Sequence, residues 1–437
     1  MAEDSLVWHK QQDRVDADIE SWNVRELLEH VAAATGWHIY LDPGAIHKVS
    51  VKFKDLPPGE ALQLMLSGLN FVMIPQTNSA SQLYVFRTSR RQATRLIMAA
   101  IPKSARPIPN QLIVTLKKGS KTKIDDLARA LGAKVIGRMD GQNSYLLQFQ
   151  DNAATQSALQ SLANNPDVAS VDVNFPVDPP PIAATAGAGG AEPELKLKPS
   201  DNHDCQLMIG LIDTPIQPVS TNLSKFVLPQ IHVAGDVQLD PTQLPHGTAM
   251  LYTLLDGLQG PTGGNTSVKV LPVDVYGNSP STTTFDVANG IYQAITNGAN
   301  IINLSLGSSG DSQYLHNIIT QGAQQGVQFY AAAGNQPVTT PTYPAAYPEV
   351  VSVTASDPNG QIASYANRGS FINMIEPGDN VVPFNGQNWL VEGTSTSTAF
   401  ATGTAAGLAD KAHGCADQAE SLLQKSLPAS SILKPAQ

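Results

Sequence analysis

Cysteine is nearly absent from this 437-residue sequence, which contains only Cys205 and Cys415. Two such widely separated cysteines exclude the dense disulfide framework that stabilises small secreted domains. Charged residues are also few, at 15%, whereas hydrophobic residues make up 42% of the chain. This composition is typical of an ordinary globular protein rather than a disordered chain, and the length predicts two to four domains.

Long hydrophobic runs are missing as well. No apolar stretch reaches the roughly 18 residues that a membrane-spanning helix requires, so we expect no membrane span. The first ten residues, MAEDSLVWHK, also lack the apolar core of a signal peptide. Two alternatives stay open at this point: the protein is cytosolic, or Met1 stands in place of a removed signal.

Charge is unevenly distributed within the net value of −10. Residues 1–86 carry 6 basic and 11 acidic side chains, residues 87–178 carry 13 and 7, and residues 201–437 carry 6 and 17. The basic middle segment has no aromatic residue between Lys117 and Arg138, so a solvated face is favoured over a nucleic-acid site. The opposite charges of the middle and C-terminal segments favour their association.

Four polar residues, far apart in the chain, supply the groups that amide hydrolysis needs. They are Asp213 in LMIGLIDTP, His246 in PHGTAM, Asn335 in YAAAGN and Ser395 in EGTSTSTAFATG. A serine hydroxyl becomes a nucleophile when a histidine takes its proton, and a carboxylate fixes the histidine tautomer. A side-chain amide can stabilise the developing oxyanion. The apolar run LMIGLID predicts a buried parallel strand ending at Asp213, and HGTAMLYTLLDGL predicts a helix.

The order Asp213, His246, Ser395 and the surrounding segments resemble those of subtilisin-like serine proteases, or subtilases. The resemblance covers residues 205–415 and includes VKVLPVDVYG, TTTFDVANGIYQAITNGANIINLSLG and TYPAAYPEVVSVTAS. It implies an α/β fold with a doubly wound, mainly parallel sheet flanked by helices. It also implies a serine endopeptidase in which Asp213, His246 and Ser395 are catalytic, while Asn335 and Ser395 form the oxyanion hole.

The same resemblance implies a peptide-binding cleft, in which an extended substrate pairs as a strand between two backbone segments. Small wall residues leave room for a sizeable apolar side chain in the primary pocket. No acidic cluster lies near these segments, which argues against specificity for paired basic residues. One edge of the cleft is formed by Tyr276 and Gly277, the other by Ser305, Leu306 and Gly307, and the remaining pocket wall by Ala332, Ala333 and Gly334.

Two residues depart from the family pattern. Pro215 stands where the family has a glycine after the catalytic aspartate, and it lacks the backbone freedom of that glycine. Ala399 stands where the family places proline. No catalytic group is missing, but a second interpretation stays open: a catalytically weak or inactive subtilase fold that serves as an envelope binding or scaffold protein.

A small α+β domain is predicted at the N-terminus, in residues 1–90. Amphipathic helices are predicted in NVRELLEHVAAATG and PGEALQLMLSGL, with strands between and after them. The phrases LLEHVAAATGWHIYLDP and LPPGEALQLMLSGLNFVMIP resemble the short N-terminal domain of secretins and TonB-dependent receptors. That resemblance implies an envelope protein partner, and the alternative is a stabilising or chaperoning extension.

A second small α+β domain is predicted in residues 91–177, with the order β-α-β-β-α-β from QLIVTL to SVDVNF. QLIVTLKKG and NNPDVASVDVNFPV resemble the inhibitor-like propeptide domain of many subtilases, which implies an intramolecular inhibitor of the catalytic domain, residues 201–437. Residues 178–200, rich in Pro, Ala and Gly, are predicted to be a flexible linker. Because exposed linkers are susceptible to proteolysis, we expect self-processing between Phe175 and Ser200.

The two cysteines bracket the subtilase-like region. A strand from Cys205 to Asp213 would span about 25 Å, and a helix from Ser395 to Cys415 about 30 Å. If Asp213 and Ser395 meet, both cysteines return to the opposite end of the sheet, where either a disulfide or two buried free thiols would fit. A disulfide fits an oxidising compartment, and subtilases with propeptides are usually exported, so we expect a secreted or periplasmic protein.

No cofactor and no metal ligand is expected from the sequence. Structural calcium is common in subtilases, but no dense loop of oxygen ligands is present here. The acidic segments Asp236–Asp240 and Asp357–Asn359 are interpreted as turns.

Overall fold

The structure is a computed structural model that describes residues 5–9, 14–35, 37–74, 81–97, 106–177, 183–186, 195–200, 205–235, 237–337 and 341–433. The chain divides into two compact units, residues 1–103 and residues 104–437.

In its described residues, the first unit contains two sheets and two α-helices around one apolar core. Helix α1 directs Leu27, Leu28 and Val31 into that core, as its apolar spacing predicts. The sheets have the strand orders β1-β2-β4 and β5-β6-β3-β7. The elements are β1 (Ser5–His9), β2 (Arg14–Asn23), α1 (Val24–Thr35), β3 (His38–Leu41), β4 (Lys48–Leu56), α2 (Pro58–Met65), β5 (Asn70–Ile74), β6 (Gln82–Phe86) and β7 (Arg95–Ile97).

The second unit begins with a four-stranded antiparallel sheet that carries two helices, in the predicted order β-α-β-β-α-β. Its strand order is β11-β8-β10-β9. Asp151 caps α4, because its carboxylate accepts the Ala154 N–H at 2.8 Å. The elements are β8 (Gln111–Leu116), α3 (Ile124–Ala130), β9 (Lys134–Met139), β10 (Ser144–Gln148), α4 (Asn152–Ala163) and β11 (Val168–Val173).

Three short strands follow in the segment that leads to the large domain. They are β12 (Pro176–Val177), β13 (Ala183–Ala186) and β14 (Lys198–Pro199). The sequence predicts a flexible linker over residues 178–200, and within this range β13 and β14 are paired with strands of the large domain. Their pairing could not be read locally because the partner strands lie far along the chain. The rest of the predicted linker, residues 178–182 and 187–194, lies outside the described residues.

The large domain is built on a seven-stranded parallel sheet with the order β16-β18-β15-β20-β21-β22-β23. This confirms the predicted doubly wound α/β fold. Its elements are β15 (Met208–Asp213), β16 (Ile231–His232), α5 (His246–Thr262), β17 (Asn265–Thr266), β18 (Lys269–Asp274), β19 (Thr282–Thr283), α6 (Thr284–Thr296), β20 (Ile301–Leu304), α7 (Gln313–Ala323), β21 (Gln328–Ala332), β22 (Val350–Ser356), β23 (Met374–Pro377), β24 (Asp379–Phe384), β25 (Gln387–Glu392), α8 (Thr394–Lys411) and α9 (Ala419–Ser426).

Helices cover both faces of this sheet, which explains why β15 is apolar up to its last residue, Asp213. Residues of α6 and α7 belong to one core cluster, and residues of α5 and α8 belong to the other. Helices α5 and α8 approach each other closely. A Cβ atom at Gly403 would lie 2.0 Å from the Leu254 backbone oxygen, so this crossing requires a residue without a side chain.

The four-stranded sheet packs against α6 and α7. Ile113, Met139 and Leu146 belong to the same core cluster as Phe285 of α6 and residues of α7. At Gly137 an added Cβ would lie 2.6 Å from the Phe285 ring. The small domain therefore shares an apolar core with the large domain, in addition to any attraction between their opposite charges.

Candidate active site

The carboxyl end of β15 brings Asp213 to the first residue of α5, His246. Asp213 Oδ1 lies 2.7 Å from His246 Nδ1, and both side chains are almost completely buried. The same oxygen accepts the Thr214 N–H at 2.6 Å, whereas Asp213 Oδ2 is buried without a hydrogen-bond partner. At Gly247 an added Cβ would lie 2.1 Å from the Thr214 backbone oxygen, so glycine is required for this close approach.

Ser395 lies in the first turn of α8, directly after Gly393 and Thr394. Thr394 donates from its backbone N–H and from its hydroxyl to Asn335 Oδ1, both at 2.9 Å. Because both donors engage the oxygen, the amide Nδ2 of Asn335 is left as a donor, 3.0 Å from where a Cβ atom of Gly393 would lie. Gly393 also has a φ of 153°, a conformation that favours glycine.

Ser395 is linked to Ser305 by two hydrogen bonds. Ser395 Oγ donates to the Ser305 backbone oxygen at 3.3 Å, and Ser305 Oγ donates to the Ser395 backbone oxygen at 3.1 Å. Among the described residues, no hydrogen bond joins Ser395 Oγ to His246. Transfer of the hydroxyl proton to the imidazole therefore requires Oγ to leave the Ser305 carbonyl.

The predicted pocket segments lie around this serine. Gly334 follows β21 with a φ of 105°, and an added Cβ would lie 2.5 Å from Asn367 Nδ2. The Gly334 N–H donates to Thr394 Oγ1 at 3.0 Å, and Asn367 Nδ2 donates to the Ala333 backbone oxygen at 2.7 Å. Thr394 thus holds both the predicted pocket wall and Asn335. Ala332, Ala333 and Leu306 are buried, and a Cβ atom on Gly307 would lie 3.4 Å from the Tyr343 backbone oxygen.

The backbone of the other predicted cleft edge, Tyr276 and Gly277, is held by the Asp274 carboxylate. Both backbone N–H groups donate to Asp274 Oδ1 at 2.9 Å, and His232 Nδ1 lies 3.1 Å from Asp274 Oδ2. The Tyr276 ring is buried in the core. Its side chain therefore contributes to packing, and its predicted role at the cleft edge rests on its backbone.

The two departures from the family pattern leave the local structure intact. Pro215 has no N–H to satisfy, and the residues after it are held by side chains. The Ile216 N–H donates to Gln230 Oε1 and the Gln217 N–H donates to Thr248 Oγ1, both at 2.8 Å. Ala399 is completely buried within α8.

The small domain contacts the N-termini of both helices on which it packs. Asp172 Oδ2 accepts the Tyr314 N–H of α7 at 2.6 Å and the Ser312 hydroxyl at 3.0 Å. Asn174 Oδ1 accepts the Phe285 N–H of α6 at 3.1 Å. Polar acceptors at these positions satisfy helix N–H groups that have no partner within the helix. The sequence analysis did not identify Asp172 or Asn174.

The chain after Asn174 continues as a strand beside the start of α6. Pro176 and Val177 pair antiparallel with Thr283 and Thr282. The Phe175 ring packs on Gly310, where an added Cβ would lie 2.4 Å from the ring. The edge occupied here is β19, a few residues beyond the predicted Tyr276-Gly277 edge.

Glu376, on β23, is a buried acid that the sequence analysis missed. It is 4% exposed, its Oε1 has no hydrogen-bond partner, and its backbone oxygen accepts the Ser397 hydroxyl at 3.2 Å. Burial raises the pKa of the Glu376 carboxyl from 4.5 to about 7. A group that titrates near neutral pH therefore lies close to the helix that carries Ser395.

Cys205 and Cys415 are joined in a disulfide, with Cα atoms 5.2 Å apart. Of the two alternatives left by the sequence, the structure adopts this one rather than two free thiols. The bond links residues 210 positions apart, which encloses most of the large domain.

Within the described ranges, no group of three or more His, Cys, Asp or Glu side chains could hold a metal ion. Asp240 and Asp357 accept hydrogen bonds from their own turns, from the Thr242 N–H at 2.8 Å and the Asn359 N–H at 2.9 Å. Asp236 lies outside the described residues. In the same part of the chain, no helix is long and apolar enough to cross a membrane.

A parallel α/β sheet with a buried His–carboxylate pair, an oriented amide and a serine at a helix N-terminus defines a subtilisin-like class of fold and site. The profile of the subtilase family matches residues 205–427, and that of the fervidolysin N-terminal prodomain matches residues 93–174. The chain belongs to the subtilase family and carries a prodomain of the fervidolysin type.

Individual relatives agree with this assignment. Subtilisin Savinase from Lederbergia lenta is 33% identical over 165 residues, which are 37% of this chain and 61% of that protein. A thermostable alkaline protease from Halalkalibacterium halodurans is 36% identical over 165 residues, 37% of this chain and 46% of that protein. The chain thus spans about half the length of these curated relatives.

A solved structure also matches. Fervidolysin from Fervidobacterium pennivorans, a keratinolytic enzyme related to subtilisin, has a TM-score of 0.55 and 17% identity, covering 76% of this chain and 63% of that chain. At this identity the match shows the fold alone.

Proposed function

We propose that this chain is a serine endopeptidase that is made as a self-inhibited zymogen and cuts its own linker. The observation that carries the proposal is the buried 2.7 Å contact between Asp213 and His246. This contact lies at the same carboxyl end of the sheet as the Ser395 turn. The named proteases among its relatives support peptide bonds as the substrate.

In the proposed mechanism, Ser395 Oγ attacks the scissile carbonyl while His246 Nε2 takes its proton. Asp213 Oδ1 holds His246 Nδ1 and stabilises the imidazolium that forms. The tetrahedral oxyanion receives hydrogen bonds from Asn335 Nδ2 and the Ser395 N–H. Collapse expels the amine, which takes the proton from His246, and water then hydrolyses the acyl-serine ester by the reverse proton path.

Self-inhibition is supported by the contacts of the prodomain. It caps α6 and α7 and then continues as a strand along β19. An extended chain that pairs with the enzyme as a strand is also how a peptide substrate would bind. We therefore assign the prodomain as the intramolecular inhibitor and the small-walled segment Ala332–Gly334 as a pocket for a sizeable apolar residue.

The compartment and the first unit are assigned on separate grounds. The Cys205–Cys415 disulfide supports an oxidising compartment, either extracellular or periplasmic. Residues 1–90 are proposed to bind an envelope protein, on their resemblance to the short N-terminal domain of secretins and TonB-dependent receptors.

A time course of the purified full-length chain tests this function. We expect two fragments to accumulate and hydrolysis of an added peptide to rise, while a Ser395→Ala variant stays intact and inactive. An unmodified chain that hydrolyses no peptide and yields no fragments would contradict the proposal.

A further inference from the structure

A second histidine–carboxylate pair lies beside the predicted cleft edge. Asp274, the last residue of β18, is completely buried, and its Oδ2 lies 3.1 Å from Nδ1 of His232, the last residue of β16. Its Oδ1 accepts the N–H groups of Tyr276 and Gly277, both at 2.9 Å. The His232 side chain is 40% exposed. A half-exposed imidazole is therefore joined to the cleft edge through a buried carboxylate.

The partners of the His232 ring determine where its proton lies. A carboxylate only accepts hydrogen bonds, so Nδ1 carries the proton and donates it to Asp274. Gln230 accepts the Ile216 N–H with its Oε1 at 2.8 Å, which leaves Gln230 Nε2 as a donor, 3.4 Å from the ring Nε2 of His232. One chain of hydrogen bonds thus runs from Ile216, three residues after Asp213, to the cleft edge.

The segment that carries His232 also contacts the edge at two further points. Gly277 has a φ of 59°, and an added Cβ would lie 2.9 Å from the Ala234 backbone oxygen. The Gln238 N–H donates to Asn278 Oδ1 at 3.1 Å. The position of the edge is therefore set by this neighbouring segment as well as by its own turn.

The imidazole determines the direction in which the Asp274 carboxylate points. Asp274 holds the edge only while its Oδ1 faces the Tyr276 and Gly277 N–H groups. A buried carboxylate oxygen that loses its donor is costly, since it has given up water without replacement. Without the His232 donor, the carboxylate would rotate to bring Oδ2 to water, and its Oδ1 would leave the edge.

We propose that His232 is a positioning residue for substrate binding. Through Asp274 it fixes the backbone of Tyr276 and Gly277, the edge on which substrate residues before the cut would pair as a strand. His232 acts through this edge rather than on the reacting atoms. The inference rests on the proposed function and extends its substrate-binding machinery beyond the cleft itself.

Two substrates separate this role from a general loss of activity. A peptide anilide with four residues before the cut reaches the edge, whereas an acylated ester of one apolar amino acid reaches only the primary pocket and Ser395. In the self-processed full-length chain, His232→Ala should lower kcat/KM for the anilide about tenfold, mainly through KM, because strand pairing is uniform binding. The value for the ester should change less than about twofold.

Two further variants complete the comparison. His232→Asn keeps an N–H donor near the position of Nδ1 and should restore most of the lost kcat/KM. His316→Ala removes another histidine–carboxylate pair, in which His316 Nε2 of α7 lies 2.9 Å from Glu349 Oε2, and should leave the anilide-to-ester ratio unchanged. Equal losses on both substrates in His232→Ala, or no loss on the anilide, would overturn the inference while leaving the proposed peptidase intact.

Amide hydrogen exchange tests the same link without any substrate. In a Ser395→Ala background, His232→Ala should speed exchange of the Tyr276 and Gly277 N–H groups about tenfold, and His316→Ala should not. Unchanged exchange in His232→Ala would overturn the positioning role. A chain that hydrolyses neither substrate, but shows the faster exchange, would contradict the proposed function and not the link from His232 to the edge.

Discussion

At the scale of single residues, the candidate site depends on polar side chains whose orientation is fixed by hydrogen bonds to other polar groups. Thr394 is the clearest case, because it fixes Asn335 with two donors and the predicted pocket wall with one acceptor. The Thr394–Asn335 contacts leave Asn335 Nδ2 as the free donor of the amide. This orientation is what an oxyanion donor requires.

Replacing Asn335 by alanine should lower kcat about 10²–10³-fold with little change in KM, because the donor acts on charge that develops in the transition state. Steady-state hydrolysis of a peptide by the processed protein measures both constants. A large rise in KM at unchanged kcat would contradict the role of Asn335.

Glu376 predicts a pH dependence of stability. Its pKa is about 7 in the folded protein because of burial, against 4.5 for the exposed group. Between these values the folded state keeps a proton that the unfolded state releases, so stability falls as pH rises, by about 3 kcal/mol in full. Glu376→Gln keeps the shape of the side chain without the ionisation and should remove this dependence.

Denaturant unfolding at pH 5 and pH 8 checks this, in a Ser395→Ala background that prevents self-digestion. The chain with Glu376 should lose more stability between the two pH values than the chain with Glu376→Gln. Parallel losses in both would show that the Glu376 carboxyl is not the group responsible.

At the scale of elements, the prodomain is attached by helix caps and a shared apolar core. Asp172→Ala removes the acceptor from the start of α7. It should weaken the association of the prodomain with the large domain by about 1 kcal/mol, which is roughly fivefold in the equilibrium constant. The lag before peptide hydrolysis in the full-length chain should shorten, and Asp172→Asn, which keeps an acceptor, should restore most of it. An unchanged lag in Asp172→Ala would exclude the cap as a restraint on activation.

The element order of the prodomain and the strand–carboxylate–helix pattern at Asp213 and His246 were predictable from sequence. Both follow from local apolar spacing, which the packing of one sheet against helices imposes. The pairing of β12 with β19 and of β13 with β25 was not predictable. These contacts join segments more than 100 residues apart, and two or four residues carry too little pattern to identify a partner strand. The roles of Thr394 and Asp172 were missed because isolated polar residues near helix starts are common.

At the scale of the whole molecule, one chain carries the candidate enzyme, its prodomain and the segment that joins them. The prodomain lies on α6 and α7, the joining segment pairs with β19 and β25, and the Cys205–Cys415 bond links the start of the large domain to the residues after α8. In the proposed zymogen, activity would depend on removal of the prodomain. The first unit has its own core and no assigned part in this process.

The central claim is that Ser395 is an activated nucleophile, and fluorophosphonate labelling tests it most directly because only such a serine reacts. The chain should be labelled before and after self-processing, with Ser395→Ala and His246→Ala as controls, and the adduct located by peptide mass analysis. We predict one adduct on Ser395 that increases after processing and is lost in both controls. A processed, folded chain without an adduct on Ser395 would contradict the account and favour an inactive subtilase fold.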